Sequence, residues 1–212
     1  PYGATKLAAE HLCHLYCKAF GVPTVALRFF TVYGPRQRPD MFFHIFMRAL
    51  LRGEETPLFD DGEQTRDFTY CGDIIDGILG AAGYPGEGEV FNLGGGSEVS
   101  LLHAIAIAEK VSGRQAKLKR SDRQKGDVRH TSAKLDQARS KLGYAPKVGL
   151  EEGLAAEWQW IDIAVRDQAV VRQDESDCCG FRAVGVNLRD HGRRHVQRAV
   201  FLVEAVRGLD LA

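Results

Sequence analysis

The sequence predicts an α/β fold, in which amphipathic helices alternate with short strands along most of the chain. Apolar residues recur at helical spacing in the first twenty residues, and a short β-rich run follows them. The same alternation of helix-like and strand-like segments continues to about residue 164. The composition agrees, because 44% of the 212 residues are hydrophobic and 26% are charged, which is ordinary for a globular protein.

The first helix is predicted from Tyr2 to Phe20, with Gly21 as its C-terminal cap. A buried strand follows over residues 24–30, and a loop with glycine and proline over residues 31–40. The later elements are a helix at 41–51, a strand at 58–59, a turn at 60–62, a strand at 66–70, a helix at 73–82, a strand at 89–93, a helix from Ser100 as its N-cap to 111, a strand at 116–119, and helices at 133–142 and 150–164.

Charge, hydropathy and cysteine usage limit the class of protein. The 28 basic residues balance the 28 acidic ones, so no global field favours nucleic acid or an anionic membrane. No apolar run reaches the roughly 20 residues that span a bilayer, and the first residues show no signal-peptide pattern. The five cysteines form no regular framework, which indicates reduced thiols. We therefore expect a cytoplasmic protein with no nucleic-acid or membrane partner.

Residues 165–212 differ in kind from the rest of the chain. No lysine occurs after Lys147, whereas arginine remains frequent. Two interpretations of this atypical tail are open. It is either a helical extension that docks through a stripe of valines, or an out-of-frame or misjoined translation. The valines with helical spacing are Val196, Val200, Val203 and Val206.

Tyr2 and Lys6 lie four residues apart at the start of the first predicted helix, so their side chains share one face. A phenol with an ordinary pKa of about 10 is a poor base at neutral pH, but an ammonium beside it favours the phenolate and lowers that pKa. The pair therefore predicts a proton-transfer group suited to a sugar hydroxyl. The alternative is an exposed Tyr and Lys on an ordinary helix, because this spacing is common by chance.

Two further segments point to a ligand site. Residues 28–36 lead from a predicted strand into a loop, and ligands bind at strand ends in open α/β sheets. Arg66 precedes an apolar strand, and its planar fork of donors suits a phosphate. The alternatives are a plain Pro-Gly turn for the first segment and, for Arg66, a surface ion pair with Asp67.

Two other clusters are interpreted as structural. The triple glycine at 94–96 follows a strand and precedes a helix, but the dinucleotide pattern Gly-x-Gly-x-x-Gly would need a glycine at Val99. We therefore predict a turn there. Cys13, His14 and Cys17 share one helix, and we interpret them as packing residues rather than metal ligands. We predict no metal site.

Several motifs occur in a fixed order along roughly residues 1–160. In order they are PYGATK (1–6), LRFFTVYGPRQRPDM (27–41), GEQTRDFTY (62–70), FNLGGG (91–96), GDVRHT (126–131) and KLGYAPKVGLEEGL (141–154). Together these motifs are far more specific than any one of them alone. Through them the chain resembles the NAD-dependent epimerase/dehydratase family of the extended short-chain dehydrogenase/reductases, and is most similar to its UDP-glucose and UDP-glucuronate 4-epimerases.

The resemblance implies that residues 1–164 form the C-terminal half of a Rossmann domain, interleaved with a small α/β domain that binds a nucleotide sugar. This half contains the last strands and helices of the parallel sheet. The family's glycine-rich NAD loop and catalytic Ser or Thr lie upstream of its Tyr, so we expect an N-terminally truncated chain that is inactive alone. We also expect the strand at 24–30 to expose an apolar edge.

The resemblance further implies NAD as the cofactor and C4 epimerisation of a UDP-sugar through a 4-keto intermediate. Tyr2 would be the acid/base, and Lys6 would hold the nicotinamide ribose. Phe30 would lie near the nicotinamide, so all three would contact the cofactor. The expected nucleotide-sugar contacts are Thr31, Met41, Phe59, Arg66, Gln124 and Asp127, with Arg66 on the diphosphate and Phe59 near the uracil.

Alternatives to epimerisation remain open. The same superfamily includes nucleotide-sugar dehydratases and decarboxylases, and a catalytically inactive fragment could simply bind a nucleotide sugar. Relatives pair through the helix that carries Tyr2 and Lys6, so a homodimer is expected for the full-length protein. The chain also departs from the family pattern. Asp60 replaces a usual Gly, so we expect an altered turn after Phe59, and Cys71-Gly72 replaces a usual Val-Asp pair.

Overall fold

The computed structural model describes residues 2–121, 128–166, 184–186 and 198–204. Helices and strands alternate, which confirms the predicted α/β class. The helices are α1 (Tyr2–Phe20), α2 (Phe42–Arg52), α3 (Cys71–Gly83), α4 (Leu101–Ser112), α5 (Asp136–Leu142) and α6 (Leu150–Arg166). The strands are β1 (Thr24–Phe29), β2 (Val32–Tyr33), β3 (Glu55–Phe59), β4 (Thr65–Asp67), β5 (Thr69–Tyr70), β6 (Glu89–Leu93), β7 (Glu98–Ser100), β8 (Lys117–Ser121), β9 (Val184–Val186) and β10 (Arg198–Glu204).

Local sequence signals set several helix boundaries, of which those at Gly21 and Ser100 were predicted. Gly21 and Gly53 follow α1 and α2 with φ of 66° each, the left-handed conformation that glycine adopts without strain. Ser100 caps α4, because its side chain accepts a hydrogen bond from the N–H of His103 at 3.2 Å. These ends depend on residues close in sequence, which is why the sequence predicts them well.

The largest sheet has the strand order β6-β1-β10-β9. β1 is parallel to both of its neighbours, with Val25 level with Glu89 of β6 and Thr24 level with Ala199 of β10. β10 is antiparallel to β9. The prediction that β1 exposes an apolar edge is therefore wrong, because β10 pairs with β1 along its whole length.

β10 also corrects the helical interpretation of the tail. Arg198–Glu204 is a strand, although the spacing of Val200 and Val203 predicted a helix. These valines belong to a short apolar run, and in so short a run periodicity does not separate a buried strand from a helix. β-branched residues favour the strand. Val196 and Val206 lie outside the described residues.

The other strands form three two-stranded sheets: β2 with β5 and β3 with β8, both parallel, and β4 with β7, antiparallel. The single strand predicted at 66–70 is divided between two of these sheets at Phe68, and β2 and β7 were not predicted. The buried apolar side chains form two clusters. One joins β1 and β6 to α3 and α5, and the other joins α2, α4 and α6 to β3.

Candidate active site

The candidate site lies at the carboxyl ends of β1 and β6, which are adjacent and parallel. Phe30 follows β1 directly, and its N–H donates to the carbonyl of Leu93 at the end of β6 (3.1 Å). Thr31 comes next, and its carbonyl accepts from the N–H of Thr69 (3.1 Å). Phe30 and Thr31 are both half-buried. They therefore lie at the edge where open α/β sheets bind ligands.

Two polar contacts align α1 with β1. Near the start of the strand, Thr24 Oγ1 donates to the carbonyl of Cys13 (3.0 Å). Near its end, Arg28 donates to both carboxylate oxygens of Glu10, from Nε at 2.8 Å and from Nη2 at 2.7 Å. Since later strand residues contact earlier helix residues, α1 is antiparallel to β1. The first turn of α1 therefore lies toward the carboxyl end of β1.

This alignment brings Lys6 and Phe30 to the same level. Lys6 lies one turn, about 6 Å along the axis, before Glu10 on α1. Phe30 lies two residues, about 7 Å, after Arg28. Lys6 is half-buried, and Tyr2, the first residue of α1, lies a further turn toward the same edge. The structure thus brings the helix positions of the predicted acid/base pair to the end of β1.

Arg66 is the middle residue of β4 and is half-buried. Its Nη1 donates to the carbonyl of Thr65 (2.7 Å) and to that of Arg129 (3.2 Å). Arg129 in turn donates from Nη2 to Asp61 Oδ2 (2.8 Å). Backbone carbonyls therefore orient the guanidinium of Arg66, and a planar fork held in this way is suited to bind a phosphate.

Asp67 does not form the surface ion pair with Arg66 that the sequence left as an alternative. Its side chain is buried, because Asp67 is 1% exposed. Its carboxylate accepts from the N–H groups of Gly95 (2.6 Å), Gly96 (3.4 Å) and Ala133 (3.2 Å). Successive residues of a strand point to opposite faces, so Arg66 and Asp67 face apart.

The triple glycine forms a turn around this carboxylate. A Cβ atom at Gly94 would lie 2.6 Å from Asp67 Oδ2 and 2.5 Å from the Cβ of Ala133, and one at Gly95 would collide with the carbonyl of Phe68. Only glycine therefore fits the first two positions. The prediction of a turn rather than a dinucleotide loop is confirmed, because amides that could hold a phosphate already hold a carboxylate.

Phe59 is the last residue of β3 and is half-buried. Its carbonyl accepts from Gln64 Nε2 (3.3 Å). The next residue, Asp60, has φ of 59°, and its N–H donates to the carbonyl of Ser121 (3.0 Å). Asp is among the residues that tolerate the left-handed conformation. The turn therefore has the backbone typical of glycine, and the expected alteration is limited to the added side chain.

Met41 precedes α2 and is half-buried. Its N–H donates to the carbonyl of Arg38 (3.1 Å), and its Sδ accepts from Arg38 Nη2 (3.5 Å). These bonds tie Met41 to its own loop rather than to the sheet edge at Phe30 and Thr31.

Gln124 and Asp127 lie outside the described residues. The described residues on either side of them contact the elements just discussed. The carbonyl of Ser121 accepts a hydrogen bond from the N–H of Asp60 in the turn after β3. The carbonyl of Arg129 accepts one from the N–H of Thr65 in β4 (2.9 Å). The described chain on both sides of this segment therefore lies beside Phe59 and β4.

Sequence reasoning missed two buried glutamates. Glu10 lies one turn after Lys6 on the same face of α1, and this spacing was the available signal. Glu157 lies between the buried residues Leu154 and Ile161 at helical spacing on α6. A carboxylate at a core position of an amphipathic helix is the signal that could have found it.

The three residues of the cysteine cluster on α1 differ in burial, and His14 is exposed. Cys13 is a buried free thiol and Cys17 a half-buried one, while His14 Nδ1 lies 3.2 Å from the carbonyl of Gly88. Among the described residues, no group of three or more His, Cys, Asp or Glu side chains is arranged to hold a metal ion. Within the same ranges, no helix has the length and apolarity needed to cross a membrane.

Known proteins resemble the chain in both sequence and fold. Residues 1–94 match the NAD dependent epimerase/dehydratase family. The chain is 46% identical over 158 residues to the uncharacterized UDP-glucose epimerase YtcB of Bacillus subtilis, over 74% of this chain and 50% of that protein. It is 38% identical over 164 residues to UDP-glucuronate 4-epimerase of Thermodesulfobacterium geofontis, over 76% of this chain and 50% of that protein.

The crystal structure of UDP-glucuronic acid 4-epimerase from Bacillus cereus, in complex with UDP-glucuronic acid and NAD, has 45% sequence identity and a TM-score of 0.74, over 77% of this chain and 52% of that chain. The fold is therefore that of a Rossmann-type extended short-chain dehydrogenase/reductase. Over residues 1–94 the chain belongs to the NAD dependent epimerase/dehydratase family. It spans about half the length of the curated relatives it matches.

Proposed function

We propose that this chain supplies the acid/base and nucleotide-sugar side of an NAD-dependent UDP-sugar 4-epimerase, with UDP-glucose/galactose or UDP-glucuronate as substrate. One observation carries the proposal. The alignment of α1 with β1 brings Tyr2, Lys6 and Phe30 to the carboxyl edge of a parallel pair. The relatives named as UDP-sugar epimerases support the same activity.

NAD fits this edge in chemical terms. Lys6 offers a cationic donor and Phe30 an aromatic face, and Tyr2 is on the same helix. The turn at Gly94 and Gly95 would take no part, because its amides hold a carboxylate of the protein. The chemistry that NAD supplies when bound is reversible hydride transfer at the sugar C4. The residues of this chain supply proton transfer and orientation.

Tyr2 is the proposed acid/base. Its phenolate oxygen takes the proton of the sugar 4-hydroxyl as the carbon is oxidised to the ketone, and returns that proton when the 4-keto sugar is reduced from its other face. Lys6, on the next turn of α1, favours the phenolate through its positive charge and holds the ribose of the nicotinamide. Proton transfer of this kind contributes roughly 10²–10⁴-fold to a rate.

The nucleotide is proposed to lie along the loops that follow β1, β3 and β4. Arg66 binds the diphosphate with its guanidinium fork, and Phe59 lies near the uracil. The other proposed contacts are Thr31, Met41, Gln124 and Asp127. In this proposal residues 1–164 combine the end of the Rossmann sheet with the nucleotide-sugar region, and residues 165–212 are an addition to the family fold.

We also propose that the full-length protein is a cytoplasmic homodimer. The support lies on α1, where Leu12, Leu15, Tyr16 and Phe20 are each more than half exposed. Four large apolar side chains on one helix suit burial against a second copy. Sedimentation equilibrium of the wild type and of a Leu15→Glu variant tests this. A monomeric wild type would contradict it.

The product of the reaction tests the activity. The chain is assayed alone and fused to the half of the Bacillus cereus enzyme that it does not match, with NAD and either UDP-glucuronate or UDP-glucose, and products are identified by proton NMR. We expect C4 inversion from the fusion and little from the 212 residues alone, since they contain no glycine-rich dinucleotide loop. Tyr2→Phe in the fusion should lower the rate at least about 100-fold.

The products also separate the alternatives. A 4-keto-6-deoxy sugar would indicate a dehydratase, and loss of CO₂ from UDP-glucuronate would indicate a decarboxylase. Binding of the UDP-sugar without any product, from a correctly folded fusion, would indicate a catalytically inactive nucleotide-sugar binder. Inversion that survives Tyr2→Phe would contradict the role of Tyr2.

A further inference from the structure

Glu157 joins α6 to the loop that follows β2. The side chain is fully buried, with 0% exposure. Its Oε2 accepts from the N–H of Gly34 at 2.8 Å, and its Oε1 is buried with no hydrogen-bond partner among the residues that the structure describes. Glu157 and Gly34 are 123 residues apart in sequence, so this bond fixes one end of a loop to a distant helix.

The surroundings of Glu157 contain acidic groups and no cation that pairs with it. Tyr33 of β2, Tyr70 of β5, and Cys71 and Asp73 of α3 face the same junction. The carboxylate of Asp73 accepts hydrogen bonds from the N–H groups of Lys147 and Val148. Among the described residues, no salt bridge joins Glu157 to a basic side chain. Ionisation there would bury an uncompensated charge.

The backbone at this junction leaves no room for adjustment. Gly34 has φ of 130°, and a Cβ atom there would lie 2.7 Å from Cys71 Sγ. A Cβ atom at Gly153, one turn before Glu157 on α6, would collide with the hydroxyl of Tyr33. Two glycines therefore let α6, β2 and α3 approach closely. Because the contact is tight, water can reach an ionised Glu157 carboxylate only if α6 and the backbone at Gly34 separate.

Gln37 connects the two ends of the loop. Residues 34–41 run from Gly34 to Met41, immediately before α2. Gln37 donates from Nε2 to the carbonyl of Val32 (2.9 Å), and its Oε1 accepts from the N–H of His44 (3.0 Å). Gln37 also donates from its backbone N–H to the carbonyl of Gly34 (3.1 Å), so release of Gly34 would loosen the loop through Gln37 toward Met41.

We propose that Glu157 is a positioning residue for loop 34–41, that it holds the loop as a neutral carboxylic acid, and that its ionisation loosens the loop and weakens nucleotide binding. The link to binding rests on the proposed function, in which this loop carries Met41. The geometric part stands on the buried, cation-free contact between Glu157 and Gly34.

The pH range of the effect follows from the groups at the junction. Burial raises the pKa of Glu157 to about 8. Burial also raises the pKa of Cys71, Tyr33 and Tyr70, so these groups stay protonated when Glu157 titrates. Burial lowers the pKa of His44, so this imidazole stays neutral in the same range. Glu157 is therefore the group of this junction expected to change charge between pH 7 and pH 9.

Hydrogen exchange tests the geometric part on the 212-residue chain. Exchange of the peptide amides at 32–41 is followed by mass spectrometry at pH 7 and pH 9, after correction for the intrinsic effect of pH. We expect about tenfold faster corrected exchange at pH 9 in the wild type and less than about threefold in Glu157→Gln, because the amide keeps the shape and cannot ionise. Glu152→Gln, an exposed residue of the same helix, is the matched control and should behave like the wild type.

Titration with UDP over the same pH range tests the link to binding. We expect the Kd for UDP to rise about fivefold from pH 7 to pH 9 in the wild type and in Glu152→Gln, and to change less in Glu157→Gln. Equal exchange at both pH values in the wild type would overturn the proposal, and this measurement needs no variant. A pH effect on exchange without UDP binding at any pH would contradict the proposed function but would still support the positioning role of Glu157. UDP binding whose pH dependence is the same in all three proteins would overturn the link.

Discussion

Glu10 and Glu157 are both buried, but within the described ranges a cation pairs with Glu10 and none pairs with Glu157. Glu10 receives two hydrogen bonds from Arg28, which joins α1 to β1. Glu157 receives one hydrogen bond from the amide of Gly34, and its second oxygen has no hydrogen-bond partner in the part of the chain that the structure describes. A buried carboxyl is stable as an anion where a cation or several hydrogen-bond donors face it, and otherwise as a neutral acid. The two junctions that hold the proposed site therefore depend on charge in opposite ways.

The largest effect is expected at the paired glutamate. Arg28→Ala leaves the carboxylate of Glu10 buried without its cation, which should lower the free energy of unfolding by about 3 kcal/mol. Urea denaturation of the wild type and variant measures the loss. Arg52→Ala is the control, because its 4.0 Å pair with Glu54 is exposed and should cost under about 1 kcal/mol. Equal costs for the two variants would show that burial of Glu10 does not depend on Arg28.

The second effect is a dependence on pH at the unpaired glutamate. The pKa of Glu157 is raised from 4.5 to about 8 by burial, so between these values the folded state holds a proton that the unfolded state has lost. Stability should therefore fall as pH rises from 4.5 to 8 and level off above. Between pH 5 and pH 7 the loss is roughly 2–3 kcal/mol, since one pKa unit corresponds to about 1.4 kcal/mol. Thermal denaturation of Glu157→Gln should lack this component, and a slope identical to that of the wild type would contradict the neutral acid.

Asp67 shows a third way to hold a buried carboxylate, through three backbone amides. Asp67→Asn keeps the shape but replaces one acceptor oxygen with an NH₂ group that faces donors. We expect the free energy of unfolding to fall by about 1–3 kcal/mol. Chemical denaturation measures it, with Asp40→Asn as an exposed control expected to change little. An unchanged stability would mean that the glycine turn does not depend on the carboxylate.

The smallest effect is expected where an acidic residue is constrained by its backbone rather than by burial. Asp60 has φ of 59°, and glycine adopts this conformation with less strain. Asp60→Gly should raise the free energy of unfolding by about 0.5 kcal/mol, since relief of strain exceeds the added freedom of the unfolded chain. A differential scanning measurement that shows a clear loss would indicate that the Asp60 side chain stabilises the turn.

The elements with local signals were predictable from the sequence. Gly21 ends α1 and Ser100 caps α4, because each acts on backbone groups within a few residues of itself. The triple glycine was predicted as a turn for the same reason. The contact that this turn makes was not predictable, because the carboxylate that it surrounds belongs to Asp67, 28 residues before Gly95.

The candidate site was predictable in part. The family motifs placed Tyr2 and Lys6 on one helix and Phe30 after a strand, and the structure aligns those elements. The Arg28–Glu10 pair and the bond between Glu157 and Gly34 could not be predicted, because they join segments that only tertiary packing brings together. The strand predicted at 66–70 is divided for the same reason: β4 and β5 find different partners.

Binding of UDP tests the central claim most directly, because the proposed nucleotide side depends on Arg66. Isothermal titration of UDP into the wild type, Arg66→Ala and Arg52→Ala at pH 7 compares a guanidinium held by backbone carbonyls with an exposed one. The account predicts that UDP binds the wild type, that Arg66→Ala raises the Kd at least about tenfold, and that Arg52→Ala leaves it unchanged. A wild type that does not bind UDP, or an Arg66→Ala variant that binds it equally well, would contradict the account.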